Sequence, residues 1–460
     1  MVLYSEAVSA WLNEVIKTQP NDLLIALVKT FVARGIAAVG GLMLVVILGR
    51  LYGASGVGVF ALAQGIYLGA SILSRYGLDN AIMRYVGQDQ NLNNAKTYLR
   101  WSLGTATILS FMAGFFVYIS RENIASFFDL PRLEFMMVGF SIAIPAFTLS
   151  SVLAGFMKGL RKPATASLVE SGSVSLLSSL IILILHREGF SEFYLVGWAI
   201  AFSAWVVFSF GIIKVFSQLS YGQSGEDDFK VSRKEFFSSS RAFLVLSLSS
   251  FIQQVVSILI AGWLLTEVDL GLFKSAERVA LLISFSLLVV NSVLPPRFAS
   301  LYQEGDLKGL AKLAKKGTWV GLVLASPLSI ACLFFPAEVL NLLGEEFRGA
   351  ELLLQVVVVG QLINVATGSV GFLLNMTGYE KLMRNIVLVS NLLGVVMFLV
   401  FIPWLGALGA SLALAILIGV QNFTALLFVW RCLGIWTLPT PNFLSWIHTS
   451  ANLVSAKREK

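Results

Sequence analysis

The sequence predicts an all-α integral membrane protein of about twelve transmembrane helices, set as two six-helix lobes in a parallel repeat around a central cavity. Three observations carry this reading. The 460 residues are 57% hydrophobic and only 13% charged, with a mean hydropathy of +0.81, whereas soluble domains carry about 25% charged residues. The apolar residues fall into separate runs of spanning length. The second half of the chain partly repeats the first.

A helix crosses the hydrocarbon with about 20 apolar residues. Such runs fall near 23–48, 57–73, 99–119, 136–157, 166–185 and 194–213, then near 243–265, 270–294, 319–335, 352–374, 386–404 and 407–429. Ahead of them, Leu3, Ala7, Trp11 and Val15 lie one turn apart, so residues 1–20 form an amphipathic interfacial helix. The first run is too long, and Lys17 too solitary a basic residue, for a cleaved signal peptide. Residues 21–216 make the N-lobe and 241–432 the C-lobe. Between them, 217–240 is a polar linker around Gly222, Gly225 and Glu226-Asp227-Asp228. Residues 433–460 are an amphipathic tail with Phe443, Leu444, Trp446 and Ile447 ahead of Lys457, Arg458 and Lys460. Pro145 and Pro327 interrupt the fourth and ninth runs and predict kinks. Ser167, Ser171, Ser175 and Ser179 form an i,i+4 stripe that suits close helix packing.

Charge sets the expected orientation. With the N-terminus in the cytoplasm, 24 of the 33 Lys and Arg residues fall on the cytoplasmic side, in groups such as Lys158, Arg161 and Lys162. Seven fall opposite: Arg50, Arg121, Arg132, Arg187, Lys274, Arg278 and Arg348. Lys29 and Arg34 lie inside the first run. Basic residues concentrate in cytoplasmic loops, so both termini are expected in the cytoplasm of a cell (inner or plasma) membrane protein. The same rule accounts for the net charge of +7 without a nucleic-acid partner.

At an offset of 213, Gly49-Arg50-Leu51 falls on Gly262-Trp263-Leu264, Gly58-Val59-Phe60 on Gly271-Leu272-Phe273, and Ala63 on Ala276. Gly159-Leu160-Arg161-Lys162 falls on Gly378-Tyr379-Glu380-Lys381 at 219. Six helices per repeat is an even number, so both halves begin on the same side and are related by an axis along the membrane normal.

The same segments carry a family resemblance. Leu48-Gly49-Arg50-Leu51-Tyr52-Gly53 followed by Gly58-Val59-Phe60 resembles the junction of helices 1 and 2 in the polysaccharide-biosynthesis flippases of the multidrug/oligosaccharidyl-lipid/polysaccharide exporter superfamily. Gly77-Leu78-Asp79-Asn80-Ala81 with Arg84 is similar to that family's cytoplasmic end of helix 2, and Gly378-Tyr379-Glu380-Lys381 to its loop between helices 10 and 11. The resemblance implies translocation of a polyprenyl-diphosphate-linked oligosaccharide from the cytoplasmic to the outer leaflet by alternating access. It implies no cofactor, membrane lipids as surroundings, and a polysaccharide polymerase as a possible partner.

Charged side chains in hydrocarbon are costly and turn toward protein or water. Arg34, near mid-depth of the first run, is a candidate phosphate ligand. Lys29 suits a snorkelling anchor. Lys274 and Arg278 are i,i+4 on one helix face with Glu277 beside them: either a local ion pair or a partly neutralised patch that holds a diphosphate without trapping it. Gln64 stands at the repeat position of Glu277, and Ala61 and Gly65 match Lys274 and Arg278, so the lobes differ in charge. Arg50 reads as substrate ligand or interfacial arginine. Gln253 and Gln254, matched by Gly40 and Gly41, read as sugar ligands or helix glue, with the glycines as a hinge or a packing point. Gln361, Asn364, Asn391, Gln421 and Asn422 carry the same ambiguity, and packing suits them better.

Enzyme readings find little support. Glu226-Asp227-Asp228 looks superficially like a glycosyltransferase acidic motif but sits in a linker with no nucleotide-binding domain around it. His186 and His448 lie far apart, Cys332 and Cys432 form no metal-binding pair, and no GxxxxGK[ST] segment exists for ATP. A cation-coupled multidrug exporter would share the fold, yet the first run holds no acid between Leu23 and Leu48. A membrane sugar polymerase or ligase would need a large external loop, and none is present.

Overall fold

The computed structural model describes residues 21–88, 92–221, 232–291 and 294–439. The amphipathic segment 1–20, the acidic centre of the linker and the tail from residue 440 lie outside the described residues. Within them, all regular structure is helical. In an apolar solvent every backbone N–H and C=O needs an internal partner, and a helix supplies it without help from neighbours.

The first half begins with α1 (Asn21–Arg75), which is two helices joined at Gly53, where φ is 68° and ψ −171°. Its 55 residues would otherwise extend about 80 Å, far beyond the ~30 Å of hydrocarbon. A non-glycine side chain is rarely found at such angles. Next come α2 (Leu78–Gln88), α3 (Leu92–Ile119), the short α4 (Arg121–Phe127), α5 (Pro131–Gly159), α6 (Pro163–Val169), α7 (Ser171–Arg187) and α8 (Leu195–Tyr221). The second half holds α9 (Arg233–Phe251), which passes through a wide turn at Ile252–Val256 into α10 (Ser257–Leu264). It continues with α11 (Glu267–Asn291), α12 (Leu294–Gln303), α13 (Leu307–Phe334), α14 (Pro336–Asn341), α15 (Glu351–Thr367), α16 (Val370–Met376) and α17 (Glu380–Leu433). The last helix turns at Gly406, at φ 58° and ψ −136°.

Among the described residues seven helical stretches are long and apolar enough to cross a membrane, or eight if the bent pair α6 and α7 makes one. Two of the seven, 32–75 and 380–433, each span two of the expected runs, the run 23–48 only from residue 32 onward. The expected run 166–185 is broken at Glu170, whose extended backbone bends α6 against α7 by 41°. The run 352–374 is likewise broken, at Gly368 with φ 73°. Pro145 and Pro327 end no helix; they lie inside α5 and α13.

Burial sorts the helices. In the most apolar stretch of α5, 89% of residues are buried, so it is enclosed by its neighbours on all sides. Outer helices instead expose large apolar groups, such as Phe115 and Phe116 on α3 and Trp404 on α17. A water-facing surface would not carry such a belt; lipid explains it. The main packing cluster crosses the molecule, from Phe60 and Phe140 in the first half to Phe273, Phe347 and Phe398 in the second.

Candidate functional site

The site begins where α1 crosses α11. Gly58 and Gly271, paired by the sequence repeat, face each other with a Cβ on either meeting the other's backbone nitrogen at 3.0 Å. A Cβ on Gly58 would collide with the carbonyl of Glu267, and one on Gly271 with that of Ala54. Residues 54 and 267 are themselves separated by 213, so the contacts are reciprocal. That reciprocity is what a two-fold relation between the two helices produces. Without side chains the backbones meet directly and seal this end.

The same end carries two further links between the halves. The Arg50 guanidinium donates from Nε to the carbonyl of Leu342 at 2.9 Å. The backbone N–H of Ala54, freed where α1 turns at Gly53, donates to Glu346 Oε2 at 3.0 Å. Here a carboxylate caps a helix start, where it is also favoured by the helix dipole.

Away from the crossing the two helices part, and their repeat-matched positions line the space between them. Ala61, Gln64 and Gly65 face Lys274, Glu277 and Arg278 around a chamber of about 520 Å³. Arg278 lies seven residues beyond Gly271, about 10 Å along the helix. A second chamber of about 460 Å³ shares Gln64, Leu68, Gln254, Arg278, Leu281 and Ser284 with the first, so these six stand in the wall between them. Lys274 is ion-paired to Glu277. Arg278 reaches instead to α1, where its Nη2 would lie 2.7 Å from a Cβ on Gly41. The missing side chain at Gly41 is what admits the guanidinium.

The chambers differ in chemistry. The smaller is walled largely by apolar and aromatic groups including Phe140, Phe147 and Phe285. The larger gathers amides from α15 and α17: Gln361, Asn364, Gln421 and Asn422. Ser284 of α11 donates to Gln361 Oε1, and Asn364 Nδ2 lies 3.3 Å from Ser284 Oγ and 3.4 Å from Gln361 Oε1.

Toward the opposite end, a cavity of about 390 Å³ shares Leu68 and Gln254 with both chambers. Arg75 and Asp79 line it as an ion pair at 3.3 Å, and so does Glu170, paired to Lys158. Beyond it α9 meets the α1–α2 turn: Ser240 Oγ donates to the carbonyl of Tyr76 at 2.6 Å, and the hydroxyls of Tyr85 and Ser239 lie 2.8 Å apart.

Of the candidate residues, the structure therefore brings together Gln64, Lys274, Glu277 and Arg278. Arg50 stands apart at the sealed end, bonded to the second half. Arg34 is exposed and is not among the residues lining either chamber; Ala37 and Ala38, one turn on, line the smaller one. The side chain of Gln253 lies outside the described residues, while its neighbour Gln254 borders all three cavities. Ser284 and the pocket at Gly41 escaped the sequence reading. An i,i+3 pair of amides, Gln361 and Asn364, was the available signal for the amide wall.

A cavity with polar walls between two crossing helices, inside a bundle of lipid-facing helices, defines a multi-pass membrane protein with an internal chamber. The family model for polysaccharide biosynthesis proteins matches residues 25–302, well over half of the chain, and the chain belongs to that family. The MatE family model matches residues 242–400. An uncharacterized membrane protein of Methanocaldococcus jannaschii, MJ1068, is 23% identical over 391 residues, covering 77% of this chain and 74% of that one. Among solved structures, the chain is similar to a lipid II flippase, MurJ, in an inward closed conformation, with a TM-score of 0.68 and 13% identity over 87% of each chain. It is also similar to an inward-facing multidrug resistance MATE family transporter of the MOP superfamily, with a TM-score of 0.66 and 18% identity over 87% of this chain and 94% of that one. The fold is that of the MOP superfamily transporters.

Proposed function

We propose that the protein is a flippase that moves a polyprenyl-diphosphate-linked oligosaccharide from the cytoplasmic to the outer leaflet for surface polysaccharide synthesis. Twelve spans in two six-helix lobes, with both termini in the cytoplasm, put the Gly58–Gly271 crossing at the outer side and the Arg75–Asp79 cavity at the inner side. One observation carries the reading: a guanidinium, Arg278, stands in the shared wall of two chambers between the halves, beside the Lys274–Glu277 pair.

A diphosphate cannot cross about 30 Å of hydrocarbon alone, whereas its polyprenyl tail already suits lipid. Arg278 supplies charged donors in a partly desolvated wall, where a charge-assisted hydrogen bond contributes about 1.5–3 kcal/mol. Lys274 is the second cation, and its pairing with Glu277 keeps the site from holding the head too tightly to release it. Outward delivery then requires the halves to rock: the Arg50–Leu342 and Ala54–Glu346 links break as the inner contacts of α9 close. No nucleotide motif drives this, so an ion gradient or the membrane potential is the proposed energy source. On the outer leaflet the product meets a polysaccharide polymerase.

The test is deletion in the native host with assays of both surface glycan and drug sensitivity. Lipid-linked oligosaccharide should accumulate on the cytoplasmic leaflet with drug sensitivity unchanged, and Arg278→Ala should fail to complement at normal expression. Intact surface glycan with new hypersensitivity to cationic drugs would establish the multidrug-exporter reading instead.

A further inference from the structure

Resting on that flippase reading, we propose that the larger chamber is a sugar-reading subsite, built by α11, α15 and α17, and that it selects a lipid-linked head whose first sugar is neutral. The two chambers meet at Arg278, so a phosphate bound there has different surroundings on its two sides. On the side of the smaller chamber the polar groups outside the shared wall, among the described residues, are the hydroxyls of Tyr67 and Ser175, with no carboxamide. On the other side stand four carboxamides, Gln361, Asn364, Gln421 and Asn422, and the hydroxyl of Ser257, with Ser284 in the wall between. Carboxamides match the paired hydroxyls of a pyranose or the acetamido group of an amino sugar.

The charge balance points the same way. Lys274 and Glu277 are paired with each other, so once a phosphate holds Arg278 the described wall of this chamber has no unpaired cation left. A uronic acid would bring a carboxylate with no partner into a partly desolvated site, which is costly.

Gln361 is the strongest single sign of a ligand. It is only 3% exposed, and Ser284 and Asn364 both engage one end of its amide. Both contacts are to Oε1, which fixes the plane of the amide in the chamber wall. Buried polar groups in folded proteins nearly always find partners. A rigidly held donor or acceptor on a cavity wall is therefore partnered by what enters the cavity. Asn422 repeats the arrangement: Nδ2 is given to the carbonyl of Ile418 at 2.9 Å, which leaves Oδ1 free to accept.

The experiment measures equilibrium binding of water-soluble short-chain probes to the purified full-length protein in nanodiscs. The probes are farnesyl diphosphate, farnesyl diphosphate bearing N-acetylglucosamine, galactose or mannose, and farnesyl diphosphate bearing glucuronic acid. The best neutral sugar probe should bind about tenfold more tightly than bare farnesyl diphosphate, the gain expected from two neutral hydrogen bonds. The glucuronic acid probe should show no such gain. In the Gln361→Leu, Asn364→Leu double variant the neutral preference should disappear while bare farnesyl diphosphate binds as before, which also shows that the variant is folded. Arg278→Gln should weaken every probe alike. The proposal is overturned if the double variant keeps the preference, or if it loses bare farnesyl diphosphate as well, because the amides then support the fold and not the sugar. Equal binding of all probes by the unaltered protein overturns the sugar subsite alone; binding of none overturns the lipid-phosphate reading beneath it.

Discussion

At the scale of single residues, the cavity is organised by one guanidinium and one missing side chain. Arg278 occupies the space at Gly41, 237 positions earlier in the chain, and a Cβ there would come within 2.7 Å of Nη2. The colliding group is the tip of a flexible side chain, so Gly41→Ala should leave the fold intact and displace the guanidinium. Thermal stability is expected to stay near that of the unaltered protein, while farnesyl diphosphate binding falls by about tenfold, the loss of one charge-assisted hydrogen bond. A drop in stability with unchanged binding would show that Gly41 serves packing only. The charges on α11 were legible in the sequence because three ionisable residues within five positions of an apolar helix need a polar neighbour. The place of Gly41 was not, since glycine at mid-helix has the same appearance whether it is a hinge, a packing point or room for a distant arginine. Arg50 shows the opposite limit: its motif was recognisable, but the carbonyl that it meets lies 292 positions away.

At the scale of helices, the crossing of α1 and α11 is the feature that the repeat made most visible. The offset of 213 pairs Gly58 with Gly271, and those two residues are the ones in contact. The breaks at Glu170 and Gly368 were marked only by short polar stretches, Glu170-Ser171-Gly172-Ser173 and Thr367-Gly368-Ser369, which a spanning helix also tolerates. At the crossing, collision is with backbone carbonyls, which cannot step aside as an arginine tip can. Gly58→Ala and Gly271→Ala should each force the helices apart and destabilise the protein by about 1–3 kcal/mol, the usual effect of overpacking. A lowered midpoint in thermal unfolding of each variant checks this, and an unchanged midpoint in both would mean that the crossing is loosely packed. Glu346→Ala should act differently. It removes a cap from Ala54 and a link between the halves, at a typical cost of about 1 kcal/mol, and a sealed end held more weakly should admit a thiol reagent to a cysteine placed at Ala61.

For the whole molecule, the proposed topology and mechanism make one joint demand: the sealed end must face outward and must open. The bias of basic residues, 24 against 7, sets the first half of that demand, and a cysteine at Ser224 in a background lacking Cys332 and Cys432 tests it. Labelling by an impermeant reagent from outside intact cells would reverse the orientation. The second half follows from the links at Arg50 and Glu346, which join α1 to the segment after α14 and hold the halves together at that end. If the halves rock, a covalent bridge in the same place should trap the protein with its inner side accessible. Cysteines at Ala54 and Glu346, joined by a reducible bifunctional reagent, should stop outward movement of the lipid-linked oligosaccharide in reconstituted vesicles. Binding of farnesyl diphosphate from the inner side should persist, because the Arg75–Asp79 cavity and Arg278 lie beyond the bridge. Adding reductant should restore movement. Continued transport with the bridge verified intact would exclude opening at this end, and with it alternating access through the Gly58–Gly271 crossing.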